Sequence, residues 1–181
     1  MLRKEETNEL VKRVTAASLK AIAAEPELNV KFAPGQASAT AEEAVLPTPV
    51  GTLDEAALTK LRGVADALAL RLRYHDAEVY REHMPSGPEA RAVYEAIEQV
   101  RCESLGVRRF NGVAENLSAL LDEKCKAKGL GTMTEKNEAL LPEVIGLLIR
   151  ECLTGEAAPK SADGLMKIWR QELEQKIGQQ V

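Results

Sequence analysis

Apolar residues recur at helical spacing through most of the chain, and this constrains the fold more than any other feature. In residues 53–72 they fall at steps of three and four, with charged side chains between them. This period predicts one long amphipathic helix with a single buried face. The residues of that face are Ala57, Leu61, Val64, Ala65, Leu68 and Leu72.

The same period predicts further helices on either side of this segment. One spans residues 5–24 and ends before Pro26, with an apolar stripe formed by Leu10, Val14, Ala17, Ala21 and Ala24. Others span about 89–105, 110–128, 134–153 and 161–177. Thr134 and Ser161 are predicted N-caps, and Gly106, Gly129 and Gly155 are predicted to follow helix ends.

Aromatic residues make up only 3% of the chain, so the core must consist mainly of Leu, Ala, Val and Ile. That composition is typical of a helical bundle. The expected core positions include Leu61, Leu68, Leu117, Leu148 and Trp169, and the expected stripe of the last helix continues through Leu173 and Ile177.

A short N-terminal segment has a different period. Leu28, Val30 and Phe32 alternate with polar residues, as in a half-buried strand, and Ala44 to Leu46 form a second apolar run. Residues 28–46 are therefore predicted to form a β-hairpin, and residues 34–52 a mobile loop rich in Pro, Gly and small residues. The predicted fold class is mainly α, a multi-helix bundle with one small N-terminal β-hairpin, in a single domain over residues 1–181.

Charge, cysteine usage and hydropathy exclude several classes of protein. The net charge is -4, with 28 acidic and 24 basic residues interspersed, which gives no support for nucleic-acid binding. The cysteines Cys102, Cys125 and Cys152 are odd in number and form no CxxC pair, as expected for a protein of the reducing cytoplasm. No segment approaches the roughly 18 apolar residues of a membrane span. We therefore expect a cytoplasmic protein with neither a membrane nor a nucleic-acid partner.

The sequence carries no local motif for catalysis. A GxxxxGK[ST] phosphate loop, a DxSxS metal-binding signature and a GxSxG elbow are all absent, so no catalytic or cofactor-binding residue is assigned. We expect no ATP hydrolysis by this chain alone. His75 and His83 could recruit Asp76, Glu78 or Glu82 to a metal, but they lack the HExxH spacing. The alternative is that they hydrogen-bond the last carbonyls of a helix.

Four charged residues lie along one side of the helix from residue 89, and we call them the charged row: Arg91, Glu95, Glu98 and Arg101. They could be a solvated face with weak ion pairs. Alternatively, they form a buried polar network against Arg71 and Arg73, or a docking face for a partner. The candidate interface or buried network comprises Arg71, Arg73, His75, Asp76, Arg91, Glu95, Glu98 and Arg101.

Several segments resemble the N-terminal region of CobT-type cobaltochelatase subunits. The longest are residues 69–76 (ALRLRYHD) and residues 90–106 (ARAVYEAIEQVRCESLG). Residues 112–117, residues 153–159 and Trp169-Arg170 continue the pattern in the same order. The resemblance therefore covers roughly residues 8–178.

In that family the subunit continues through an acidic linker into a von Willebrand A domain with a metal-ion-dependent adhesion site, and we expect both to be absent from this chain. The family's partners are an AAA+ ATPase subunit and a large chelatase subunit, which insert Co²⁺ into hydrogenobyrinic acid a,c-diamide in aerobic cobalamin biosynthesis. This is a ligase reaction that forms nitrogen–metal bonds. ATP, Mg²⁺ and Co²⁺ are used by that complex, and no cofactor is expected on this chain.

The resemblance implies a non-catalytic interaction or scaffold domain of the chelatase complex, which could also form a homo-oligomer. Two alternatives stay open from the residues alone. One is a free-standing helical metal- or tetrapyrrole-binding protein that uses His75 or His83. The other is an adaptor of an unrelated AAA+ ATPase.

Overall fold

A computed structural model of the chain describes residues 2–49, 51 and 53–178. This part contains seven α-helices and a three-stranded sheet, which confirms the mainly α fold class. The elements are α1 (Leu2–Ala23), β1 (Asn29–Ala33), β2 (Ser38–Ala39), β3 (Glu43–Pro47), α2 (Glu55–Tyr74), α3 (Ala77–Glu82), α4 (Pro88–Val107), α5 (Val113–Ala127), α6 (Leu141–Thr154) and α7 (Asp163–Gly178).

The chain divides into two compact units. The first unit comprises Met1–Asp76 and Leu105–Leu120, and the second comprises Ala77–Ser104 and Leu121–Val181. Helices α4 and α5 each contribute residues to both units. The assignment of residues 1–181 to a single domain stays a prediction.

The small sheet of the first unit differs from the predicted hairpin. Both predicted strands form, but β1 pairs with β3 in parallel, so they are not the two arms of a hairpin. The segment predicted as a loop contains the missing strand β2, which pairs antiparallel with β3 and gives the order β1-β3-β2. A tight turn makes this possible, because the Thr40 hydroxyl accepts a hydrogen bond from the Glu43 N–H at 3.1 Å. The mobility predicted for residues 34–52 stays a prediction, and residues 50 and 52 lie outside the described residues.

Helix α1 forms where predicted, but the predicted apolar stripe faces away from the core. Leu10 is 57% exposed and Val14 is 54% exposed, and Ala17, Ala21 and Ala24 are exposed as well. The opposite face is buried instead, with Leu19 0% exposed beside Thr15 and Ala23. Leu19 and Ala23 of this face pack into a cluster with Leu28 and the sheet residues Ala44 and Leu46, and Ile22 packs against the same cluster.

Helix α2 is buried over a wider surface than one stripe. Its Asp54 N-cap accepts a hydrogen bond from the Ala57 N–H at 2.8 Å. Ala65 and Ala69 pack in the cluster with α1 and the sheet, whereas Ala67 and Leu70 pack in a second cluster with α5 residues such as Leu117. Helix α2 therefore has two apolar faces, one toward each cluster. Leu61 is buried as expected, and Leu68 is only half-buried.

Two glycines allow helices of the first unit to approach closely. Gly106, predicted to follow a helix end, lies inside α4, where an added Cβ would be 2.2 Å from a Leu70 methyl carbon. Gly63 lies in α2, where an added Cβ would be 2.5 Å from the backbone oxygen of Asn116. Gly106 is therefore needed for close packing against Leu70, and it does not form a helix-ending turn with a positive φ.

The second unit contains the core cluster of α5, α6 and α7. Trp169 and Leu165 are buried there together with Val144 and Leu147, and Leu148 packs against the cluster half-buried. Leu117 is buried in the first unit, so three of the five expected core residues are fully buried and two are half-buried. The side chains of Leu173 and Ile177 lie outside the described residues.

The two predicted N-caps in the second unit, Thr134 and Ser161, are wrong, and two predicted helix stops are confirmed. Helix α6 begins at Leu141 and not near Thr134, because Pro142 is tolerated only in the first turn of a helix. Ser161 lies in a 3₁₀ turn before α7, and its hydroxyl donates to Asp122 Oδ1 at 2.6 Å. Gly129 and Gly155 have positive φ angles of 65° and 75° just after α5 and α6, as expected for glycine stops.

Candidate functional site

The charged row lies on α4 in the second unit, and its residues differ in burial. Arg91 and Glu95 are exposed, whereas Glu98 and Arg101 are partly buried, with side chains 12% and 43% exposed. Arg91 Nε donates to the Pro85 carbonyl at 2.9 Å, which ties the helix to the loop before it. The row is therefore neither uniformly solvated nor uniformly buried.

Glu98 accepts hydrogen bonds on both of its carboxylate oxygens. Arg101 donates to both of its carboxylate oxygens, with Nε to Oε2 at 2.7 Å and Nη2 to Oε1 at 2.8 Å. The Cys102 thiol lies 3.6 Å from Glu98 Oε1. The hydrogen bond to Glu98 is the main cause that raises the pKa of Arg101. This fork geometry fixes both side chains along the helix.

Tyr80 is a partner of the row that sequence reasoning missed. Its hydroxyl donates to Glu95 Oε2 at 2.5 Å, and its ring stacks on Tyr94 with the centroids 4.7 Å apart. These contacts attach the short helix α3, which has no buried residue of its own, to α4. Tyr94 lies in the family-like segment 90–106, but Tyr80 is 14 residues earlier and outside it, so the sequence did not indicate this contact.

The remaining candidate residues lie at the end of α2 in the first unit. The backbone N–H of His75 donates to the Arg71 carbonyl at 3.0 Å and so caps the helix. The next residue, Asp76, is exposed. Arg73 Nη1 donates to the Ile22 carbonyl at 2.8 Å, and its guanidinium lies 5.5 Å from the Phe110 ring centroid. Because the row belongs to the other unit, the predicted network between the row and Arg71 or Arg73 stays a prediction.

The histidines contact helix ends. His83 Nδ1 lies 2.9 Å from the Val79 carbonyl oxygen in the last turn of α3, as expected if this histidine hydrogen-bonds one of the last carbonyls of a helix. Among the described residues, no three His, Cys, Asp or Glu side chains are grouped so that they could hold a metal ion.

A buried carboxylate in the first unit is the main polar feature that sequence reasoning did not assign to a site. Asp66 is 5% exposed in α2, and Asn116 Nδ2 donates to its Oδ2 at 2.8 Å. Burial raises the pKa of Asp66, while the hydrogen bond from Asn116 and the charge of Arg62 act to lower it. Asp66 faces a pocket of about 160 Å³, which we call the Asp66 pocket.

The Asp66 pocket combines polar and apolar walls. The residues that line it come from α1, α2 and the segment around the start of α5: Val14, Thr15, Ser18, Ile22, Arg62, Ala65, Asp66, Asn111, Val113 and Asn116. The only sequence signal for it was a charged residue beside the apolar positions Ala65 and Ala69 of an amphipathic helix. That signal cannot be distinguished from a solvated charge without the fold.

Within the described residues, none of the helices is both long enough and apolar enough to cross a membrane. No solved structure matches this chain. The model of the family described as cobalamin biosynthesis protein CobT matches residues 5–181, which is nearly the whole chain. The resemblance seen in the sequence is thereby confirmed, and the chain belongs to the CobT family, with a role in cobalamin biosynthesis.

Proposed function

We propose that this chain is a non-catalytic interaction component of the ATP-dependent cobaltochelatase that inserts Co²⁺ into hydrogenobyrinic acid a,c-diamide. The observation that carries the proposal is the family match over residues 5–181. The partners would be an AAA+ ATPase subunit and a large chelatase subunit in the cytoplasm. ATP and Mg²⁺ would be used by the ATPase, and Co²⁺ would be the substrate of the complex.

The exposed half of the charged row supports a docking face on the second unit. Arg91 and Glu95 are exposed yet held in place, by the Pro85 carbonyl and by the Tyr80 hydroxyl respectively. Positioned charges that remain accessible favour specific association, because less side-chain freedom is lost on binding. Val79 and Met84, which precede Tyr80 and Pro85 in the sequence, are exposed large apolar residues. Such a mixture of apolar and charged side chains is typical of the core and rim of an interface.

The partly buried half of the row supports a different role. Glu98 and Arg101 are occupied with each other and with Cys102, so their main contribution is to the second unit itself. We therefore assign docking to Arg91 and Glu95 and stabilisation to Glu98 and Arg101. The alternative in which the whole row docks a partner predicts that all four positions weaken binding equally.

Affinity capture of the AAA+ ATPase subunit tests this assignment. The double variant Arg91→Ala/Glu95→Ala should retain the fold and reduce capture at least about tenfold, the effect of losing roughly 1.4 kcal/mol of binding free energy. The matched control is Glu135→Ala/Lys167→Ala, which also removes one exposed acid and one exposed base from the second unit. Equal capture by wild type and both double variants would show that the docking face lies elsewhere.

A further inference from the structure

Buried polar side chains are concentrated at one place in the first unit. Among the described residues, those found buried are Thr15, Asp66 and Ser104. Thr15 is 5% exposed, like Asp66, and both line the Asp66 pocket. Two separate helices, α1 and α2, thus each bring a buried polar group to the same small space.

Both groups face the pocket. Asn116 Nδ2 donates to Asp66 Oδ2 at 2.8 Å, and the Thr15 side chain lines the same pocket. Nearly all buried polar groups in proteins are hydrogen-bonded, to protein or to an occupant of the cavity. An occupant that donates hydrogen bonds can therefore reach the Asp66 carboxylate and the Thr15 hydroxyl from the pocket.

The charges indicate what kind of occupant fits. Among the described residues Asp66 is in no ion pair, and a buried charge that lacks a compensating partner is costly. Arg62 is one helical turn earlier on α2, is exposed and lines the same pocket, and it forms no ion pair with Asp66 within the described residues. The pocket thus presents a negative group in its buried part and a positive group in its exposed part. Side chains four residues apart on a helix are about 5–6 Å apart at Cβ, a spacing that one small molecule can bridge.

The size and the walls limit the occupant further. A volume of about 160 Å³ corresponds to about five water molecules at about 30 Å³ each. Val14, Ile22 and Val113 provide an apolar wall for a short aliphatic group. We infer that the Asp66 pocket binds a small zwitterion of the amino-acid type, with its ammonium group at Asp66 and Thr15 and its anionic group at Arg62. This inference does not rest on the proposed function.

An NMR titration of the full chain with L-alanine tests the inference, with ethylammonium and acetate as single-charge probes. L-alanine should produce saturable shifts in the amides of Thr15, Ser18 and Asn111, and each single-charge probe should bind at least about tenfold more weakly. Asp66→Asn should weaken L-alanine binding at least about tenfold, and Thr15→Val should weaken it with no charge removed. Arg62→Gln should weaken L-alanine but leave ethylammonium unchanged. Asp122→Asn, which changes a hydrogen-bonded Asp of the second unit, should have no effect.

Three results would overturn the inference. Absence of saturable shifts with L-alanine would show that water alone fills the pocket. Shifts that survive Asp66→Asn and Thr15→Val unchanged would place binding elsewhere. Ethylammonium that binds as tightly as L-alanine would exclude the role of Arg62 and hence the zwitterion. Because capture of the ATPase is measured separately, failure here leaves the proposed function untouched.

Discussion

Asp66 connects a single buried carboxylate to the pH dependence of folding. Burial raises its pKa above the ordinary value of 3.8, so the folded state binds this proton more tightly than the unfolded state does. The stabilisation from the protonated form is therefore complete below the ordinary pKa and is lost as the pH rises through the raised folded value. Asp66→Asn should gain stability relative to wild type as the pH rises from about 3 to about 7.

Urea denaturation of wild type and of Asp66→Asn, from about pH 3 to about pH 7, measures the difference in their free energies of unfolding. Other groups titrate equally in wild type and variant, so their contributions to the pH dependence of stability cancel in the difference. One such group is Glu103, because burial raises its pKa as well. Asp122→Asn is a control of opposite sign, because hydrogen bonds from Lys126 and Ser161 lower the pKa of Asp122. It should lose stability relative to wild type over the same rise in pH. A stability difference for Asp66→Asn that does not change with pH would contradict the burial of its charge.

Within the charged row, we expect substitutions at Glu98 and at Arg91 to differ in their effect on stability. Glu98→Ala removes the acceptor of two hydrogen bonds from Arg101, and hydrogen bonds to charged groups contribute about 1.5–3 kcal/mol. Thermal denaturation should therefore show a loss of about 1–3 kcal/mol for Glu98→Ala. Arg91→Ala, at an exposed position, should change stability by less than about 0.5 kcal/mol. Equal effects of the two substitutions would show that the row does not differ in burial.

At the level of elements, the orientation of α1 is the sharpest test of the fold. Leu19→Ala removes a fully buried side chain from the cluster with the sheet and should cost about 2–5 kcal/mol. Leu10→Ala, on the exposed face of the same helix, should cost less than about 0.5 kcal/mol. The free energy of unfolding from chemical denaturation decides between the two faces. If Leu10→Ala is the costlier change, the helix packs through the stripe that the sequence predicted.

Close helix packing gives a second prediction for the elements. Gly63→Ala would place a methyl group against the backbone oxygen of Asn116, which cannot move aside like a flexible side chain, so a loss of about 1–3 kcal/mol or more is expected. Gly146→Ala, at a buried glycine of α6, would meet side-chain carbons only at 3.8–3.9 Å. It should be neutral or stabilise by up to about 1 kcal/mol through helix propensity. Similar losses at both positions, measured by thermal unfolding, would contradict the close approach at Gly63.

Particular elements show how far the sequence could predict this fold. Helical periodicity identified α2 and α4 to α7, but the residues facing the core of α1 were wrong because a second stripe, with Thr15, Leu19 and Ile22, has helical spacing too. The parallel pairing of β1 with β3 could not be predicted, since alternation shows which residues are half-buried but not which strand lies beside them. The Asp66 pocket was missed for a related reason. Its walls come from residues near 15, 66 and 116, and only the tertiary fold brings them together.

For the whole molecule, membership of the CobT family is the result that determines what the protein does. The sequence segments that carried the resemblance span both units, and the family match extends over residues 5–181. Membership assigns the chain to cobalamin biosynthesis, while the physical chemistry of the residues accounts for the fold and its polar sites.

The most direct test of the proposed function is an equilibrium titration of this chain with the AAA+ ATPase subunit of the cobaltochelatase. Fluorescence anisotropy of labelled chain in the presence of ATP and Mg²⁺ should show saturable binding. An unrelated AAA+ ATPase under the same conditions should show none, which separates the chelatase component from a general adaptor. The predicted result is saturable binding to the cobaltochelatase ATPase, weakened by Arg91→Ala/Glu95→Ala. Absence of binding to that subunit, or equal binding to both ATPases, would contradict the proposed function.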